Sequence, residues 1–337
     1  MFRTLRIATC TSLLVLGGLT GASAAELKAV ASFSIIADLA KNVGGDRVEI
    51  STLVGPDGDA HVYEPRPADA ASLEGANVVL VNGLQFEGFM SRLIETSGTK
   101  ASIVEVSKGI EPLKNEEEGH EHHHGGEEKE EAGHNHDHEK AKHAKGSHDH
   151  DDGHEGHHHH GEFDPHAWQS IHNAEIYVKN IADAFCEADK AGCATYTANA
   201  EAYLNQLADL ETEVKSTIDT IPADKRTIIT SHDAFGYFEH EYGLKFLAPE
   251  GVSTEADASA ADVAKLVDQV KEDKASAIFV ENITNPRLVE QIATETGLKV
   301  GGTLYSDALS GPDGPASTYI DMFKYNVETM KSAILGS

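Results

Sequence analysis

The chain has 337 residues, room for about two domains, and a formal net charge of −29. A surface that acidic repels phosphate backbones and anionic headgroups, which excludes nucleic acid and acidic lipid as partners and favours cations. Three cysteines are too few for a disulfide scaffold, and past the N-terminus no apolar run approaches the roughly 18 residues that span a bilayer.

In chain order, Arg3 and Arg6 precede a short apolar run from Ile7 to Leu19, and Ala22-Ser23-Ala24 follows. A positive start, an apolar middle and small residues at the end form a secretory signal over residues 1–24, with cleavage near Ala25. No cysteine stands after the apolar run at a lipid-attachment spacing, so a soluble, non-spanning mature chain is expected. Strand and helix patterns then alternate. Lys28 to Phe33 reads as a buried strand, Ile35 to Val43 as a helix stopped by Gly44-Gly45, and Val48 to Val54 as a second strand. Helices at Pro67–Leu73 and Phe89–Thr96 alternate with strands at Val78–Val81 and Ala101–Val106. This is the βα rhythm of a parallel sheet.

Between residues 115 and 162 the rhythm stops. The segment holds 15 acids and 4 lysines, a net of −11, and 15 of the chain's 20 histidines. With almost no apolar side chains it cannot bury enough surface to pack, and it is expected to be a disordered loop inserted in the first lobe. His122, His123, His124, His134, His136, His138, His157, His158, His159 and His160, interleaved with Glu and Asp, suit loose binding of metal ions in several registers. The plain alternative is a solvated acidic spacer.

His172 to Ile221 shows apolar residues at helical spacing, with a break near Asp189–Gly192. The second helix, Ala194 to Ile221, ends at Pro222 and would be about 42 Å long, a stiff spine. Cys186 and Cys193 flank the break, and in an exported chain such a pair is expected to be a disulfide. Alternation then returns, with strands at Thr227–Thr230, Leu244–Ala248, Ala277–Val280 and Lys299–Leu304. The helices between and after them are Phe235–Tyr242, Ala258–Asp273, Arg287–Thr296 and Thr318–Leu335. The expected fold is α/β: one lobe over 25–171, connecting helices over 172–222, and a second lobe over 223–337.

Five histidines remain outside the crowded tract. His61 lies in a turn-rich loop after a strand, His232 directly after another, and Asp307 just beyond a third; His166 lies where the insertion rejoins the fold. Ligands of open α/β sheets collect outside the carboxyl ends of strands, so these four can converge between the lobes. Three imidazoles and one carboxylate suit tetrahedral Zn²⁺. Singly, each has a structural reading as an exposed, packed or capping residue. His172 and His240 fall in helical stretches and are expected at the surface.

The same segments resemble a known family. Gly55-Pro56-Asp57-Gly58-Asp59-Ala60-His61 leads into Tyr63-Glu64-Pro65-Arg66-Pro67. In order come Asp164-Pro165-His166-Ala167-Trp168, Ser231-His232-Asp233-Ala234-Phe235-Gly236-Tyr237-Phe238, Ile278-Phe279-Val280-Glu281 and Tyr305-Ser306-Asp307-Ala308-Leu309. Together they resemble the metal-specific solute-binding proteins of ABC importers, in the zinc-binding ZnuA-like branch. The resemblance implies two α/β lobes joined by a long rigid helix with a metal in the cleft. It implies His61, His166, His232 and Asp307 as ligands, and a periplasmic monomer that passes Zn²⁺ to a membrane permease. Manganese-type relatives tend to carry a carboxylate where His232 stands. Ala60 departs from the pattern, since many zinc relatives have Glu there, and the Cys186–Cys193 pair is unlike the usual linker. Glu281, at a strand end, is placed either to hold a ligand histidine by its other ring nitrogen or to make a surface salt bridge. The rival readings are a zinc hydrolase, with Glu64 or Glu281 as base, and an extracellular zinc buffer or adhesin. No HExxH motif supports the first.

Overall fold

The computed structural model describes residues 26–115, 161–256 and 258–336. The signal over 1–24 and the histidines from His122 to His160 lie outside the described residues.

Two four-stranded parallel sheets carry the fold. In the first, strands β1 (Leu27–Phe33), β2 (Val48–Val54), β3 (Val78–Val81) and β4 (Ser102–Glu105) lie in the order β2-β1-β3-β4. The register pairs Leu27 with Val48 and Phe33 with Val54 on one side, and Ala29 with Val78 on the other. In the second, β5 (Thr227–Ile229), β6 (Lys245–Leu247), β7 (Ala277–Glu281) and β8 (Val300–Leu304) repeat that order as β6-β5-β7-β8. Central strands β1 and β3 are almost wholly buried, whereas edge strand β4 is mostly exposed. Continuous apolar runs are what a strand covered on both faces requires.

The helices follow local signals. Helix α1 (Ser34–Gly44) ends where Gly45 turns to a φ of 53°, a left-handed conformation that glycine adopts without a Cβ clash. The hydroxyls of Ser170, Ser259 and Thr318 each accept a backbone N–H at the starts of α4 (Ile171–Ala188), α7 (Ala260–Asp273) and α9 (Tyr319–Leu335). Shorter helices α2 (Pro67–Glu74), α3 (Met90–Ser97), α6 (Gly236–Tyr242) and α8 (Arg287–Thr296) complete the lobes.

Helix α5 (Cys193–Ile218) is the spine, 26 residues long and so about 39 Å. Tyr196, Ala200, Tyr203, Leu207, Leu210, Val214 and Ile218 recur at three and four spacing and are all buried. The helix packs against α1, α4 and α9. The helix stops three residues before the expected Ile221: Thr220 and Ile221 donate to Thr217 and Ile218 in tight turns, and Pro222 has no N–H to continue the ladder. Cys186 and Cys193 form a disulfide, with Cα atoms 4.3 Å apart, that clips α4 to α5.

One continuous apolar core runs through both lobes, from Phe33 and Trp168 to Phe235 and Phe323; a smaller cluster around Ile278 and Val267 fills the outer second lobe. Polar contacts cross the seam as well. The backbone N–H of Leu309 donates to Ser34 Oγ at 2.9 Å, and that of Tyr319 to Asp38 Oδ2 at 2.9 Å. Ser306 carbonyl accepts from Trp168 Nε1 at 2.8 Å and Gln169 Nε2 at 2.7 Å. Among the described residues no helix is long and apolar enough to cross a membrane.

Burial pushes the Asp38 carboxyl up to about 6, against the opposing hydrogen bond from Tyr319 and the charge of Lys41. A carboxyl raised in the folded state favours folding below its unfolded value near 3.8, and that contribution is lost as pH rises through about 6. Asp38→Asn keeps an acceptor for Tyr319 and removes the charge. It should stabilise the protein by about 2 kcal/mol at pH 8 and by little at pH 4. Urea unfolding at the two pH values checks this; equal effects at both would contradict it.

Candidate metal centre

His61 sits in the loop between β2 and α2. His166 precedes α4, His232 follows β5 and Asp307 follows β8, so each lobe supplies part of the set. The side chains come together at the seam: one ligand atom from each of the four lies within 4.8 Å of all the others. His166, His232 and Asp307 have no exposed surface, and His61 has 8 %. All three imidazoles turn Nε2 toward the carboxylate. Asp307 Oδ2 is 3.2 Å from His61 Nε2 and 3.2 Å from His232 Nε2, and Oδ1 is 3.7 Å from His166 Nε2.

The other ring nitrogens are held from behind. His166 Nδ1 donates to Asp164 Oδ1 at 2.7 Å, and that same oxygen accepts the His166 backbone N–H at 2.9 Å. His232 Nδ1 lies 2.7 Å from Glu281 Oε2 in a fully buried ion pair, while Glu281 Oε1 accepts the backbone N–H groups of Ser231 and His232 at 2.7 and 2.9 Å. A carboxylate on Nδ1 fixes the tautomer that leaves the Nε2 lone pair toward an ion and makes it more basic. Asn82 Nδ2 donates to Pro165 carbonyl at 2.9 Å and Asn82 Oδ1 accepts from Tyr177 Oη, which ties the His166 turn to the end of β3. Phe86 presses edge-on against His61, with centroids 4.8 Å apart, and Trp168 stands 5.3 Å from His166, walling the site with apolar rings.

The electrostatics follow from this burial. Desolvation holds the His61 imidazole below its ordinary value despite the nearby Asp307 carboxylate. For His232 desolvation pulls the same way, but the charges of Glu281 and Asp307 outweigh it and raise the imidazole well above its ordinary range. Burial alone would raise Asp307; the imidazoles of His232 and His166 instead hold it well below the usual carboxylate range. His166 Nε2, His232 Nε2 and Asp307 Oδ1 are nonetheless buried with no hydrogen-bond partner. Leaving three such atoms unsatisfied costs about 1–3 kcal/mol each, and one cation among them would satisfy all three.

Thus the four residues singled out in the sequence do converge, and Glu281 stands behind His232. His172 and His240 are exposed helix residues, apart from the site. Glu64 is exposed and Glu281 is committed to His232, so neither stands ready as a general base. Sequence reasoning missed Asp164, although its place two residues before His166 across a proline was a usable sign of a turn that brings its carboxylate onto the ring. It also missed Asn82 and Phe86, which no local pattern marks.

Residues 29–333 match the family described as zinc-uptake complex component A, periplasmic. The chain belongs to the ZnuA family of metal-binding solute-binding proteins of ABC importers. Members of that family are binding proteins and not enzymes. Among curated ZnuA-family relatives, the manganese-binding lipoprotein MntA of Halalkalibacterium halodurans is 32% identical over 91% of this chain and 88% of its own. The iron-binding protein YfeA of Yersinia pestis is 30% identical over 91% of this chain and 86% of its own. Among solved structures, the periplasmic zinc-binding protein TroA of Treponema pallidum superposes with a TM-score of 0.76 at 27% identity, covering 92% of this chain and 99% of that one. The ZnuA-family fold of two parallel-sheet α/β lobes is therefore shared with solved neighbours.

The raised imidazole of His232 has a direct consequence. A histidine raised in the folded state contributes stability that is complete below its unfolded value near 6.5 and is lost only as pH rises through the higher folded value. In chelator-treated, ion-free protein at pH 7.5, His232 should therefore carry protons on both ring nitrogens, visible in its ¹⁵N shifts. A neutral-imidazole pattern at that pH would show that Glu281 and Asp307 do not overcome desolvation.

Proposed function

We propose that the protein captures Zn²⁺ in the periplasm with His61, His166, His232 and Asp307 and hands it to the permease of an ABC importer. The observation that carries this reading is the convergence of three imidazole Nε2 atoms and one carboxylate, each within 4.8 Å of the others. Two of the rings are backed by carboxylates at 2.7 Å. Nitrogen-rich four-donor sites suit Zn²⁺, while manganese prefers more oxygen. Family membership alone does not choose the ion, because the relatives bear manganese, iron and zinc in their names. The donor set supports zinc. Three neutral imidazoles and one carboxylate leave the loaded site near +1, far less costly to bury than a bare dication.

The histidines between His120 and His160 would raise the local supply of zinc. Their segment joins the fold where Lys114 bridges to Phe163 and Asn115 N–H donates to Glu162 carbonyl at 3.0 Å. Gly161 and Phe163, at the downstream end, line the same cavity as His61.

Competition titration with a zinc chelator tests the site. His61→Ala, His166→Ala, His232→Ala and Asp307→Ala should each weaken the tight site by about a hundredfold or more, and Glu281→Ala by about 10–100-fold through its hold on His232. His232→Asp should narrow the preference for zinc over manganese, since it exchanges a nitrogen donor for oxygen. If wild-type protein shows no saturable tight site, or binds manganese more tightly than zinc, the reading is wrong.

A further inference from the structure

Three of the four site residues are fixed by their own surroundings. His166 is held by Asp164, His232 by Glu281, and Asp307 is fully buried between the imidazoles. His61 differs. Its ring makes one polar contact, to Asp307, and no carboxylate backs its Nδ1 among the described residues. It alone of the four lines the mouth, a cavity of about 280 Å³ shared with Phe86, Val252, Ser253 and Glu255.

His61 belongs to the first lobe, yet the second lobe positions it. Asp59 Oδ1 accepts the His61 backbone N–H at 2.9 Å, and Asp59 Oδ2 accepts from Thr254 Oγ1 of the second lobe at 2.6 Å. Two residues earlier, Asp57 N–H donates to Leu309 carbonyl at 2.9 Å and Asp57 Oδ1 accepts from Asn282 Nδ2 at 3.0 Å. Asn282 also donates to Ala308 carbonyl at 3.2 Å, next to Asp307. Asp57 holds a φ of 55°, a conformation that a non-glycine residue keeps only where its surroundings enforce it.

We infer that Asp57–His61 is a strap across the cleft, and that Thr254 and Asn282 are positioning residues that set how long the divalent ion stays by holding His61 against it. Breaking either anchor frees His61, the ligand at the mouth, while His166, His232 and Asp307 stay held by their own surroundings. The ion is then left with three donors and an open path past Val252 and Glu255. The α5 spine and the shared core resist a wide hinge motion, so a short strap suits the molecule better than large lobe rotation. This inference rests on the proposed zinc site.

The test uses the full chain loaded with one equivalent of Zn²⁺ and mixed rapidly with excess chelator, with dissociation read from the slow phase. Thr254→Val removes the hydroxyl at nearly constant volume and should speed dissociation about tenfold, the size expected for a lost hydrogen bond to a charged acceptor. Asn282→Ala should act in the same direction, and the two together more than either alone. Association should stay within about twofold of wild type, because the encounter route past Glu255 is unchanged. Thr254→Ser keeps the hydroxyl and should dissociate like wild type. Wild-type dissociation from Thr254→Val, or equal acceleration by the Ser and Val variants, overturns the strap while leaving the zinc site intact. A wild-type chain with no tight zinc to release overturns the site itself.

Discussion

Asp307 is the charge around which the rest is arranged. A carboxylate with no exposed surface is tolerable only if cationic partners meet it at close range. His232, whose imidazole Glu281 and Asp307 raise well above its ordinary range, is that partner when no ion is bound. That requirement explains why the two sheets aim their strand ends at one point and why the wall of the site is apolar. Lower dielectric strengthens each attraction there, and it also makes each unsatisfied donor or acceptor more costly.

Keeping four donors from distant parts of the chain within 4.8 Å demands that the lobes not drift. The spine helix contributes by packing against α1 and α9 at once. The shared core contributes more, since Trp168 belongs to the segment after His166 yet donates to Ser306 carbonyl beside Asp307. Those two loops are therefore tied together across the seam. The loop of His61 is anchored instead to the second lobe, through Thr254 and Asn282, and that distinguishes it from the others.

Much of this was legible in the sequence because the signals were local. Apolar runs of strand length and glycine stops gave the α/β alternation, and the places of His61, His232 and Asp307 just beyond strands followed from it. The break between α4 and α5 was visible in Asp189–Gly192. What escaped detection was non-local. Asp59 and Thr254 are 195 residues apart, and nothing in either neighbourhood announces the other. Asn82 likewise looks like a strand terminator until its amide is seen on Pro165 carbonyl. The spine ran short of Ile221 because helical periodicity continues past the point where Pro222 forces the preceding residues into turns.

The charge arrangement also bears on what kind of ligand the cleft can accept. Carboxylates from Asp307, Glu281 and Asp164 converge on the three imidazoles, two of them from behind the rings. Such a shell repels anions and offers neutral molecules few donors. It favours a compact cation that can replace a proton at Nε2. If His232 holds the ion as proposed, uptake is an exchange in which a dication takes the place of a proton at Nε2, and affinity falls as acid restores that proton. The two rear carboxylates keep the rings oriented through that exchange, because their contacts are to Nδ1 and the backbone and not to the nitrogen that changes partner. Selectivity therefore lies in the front donors, and readiness to bind lies in the carboxylates behind them.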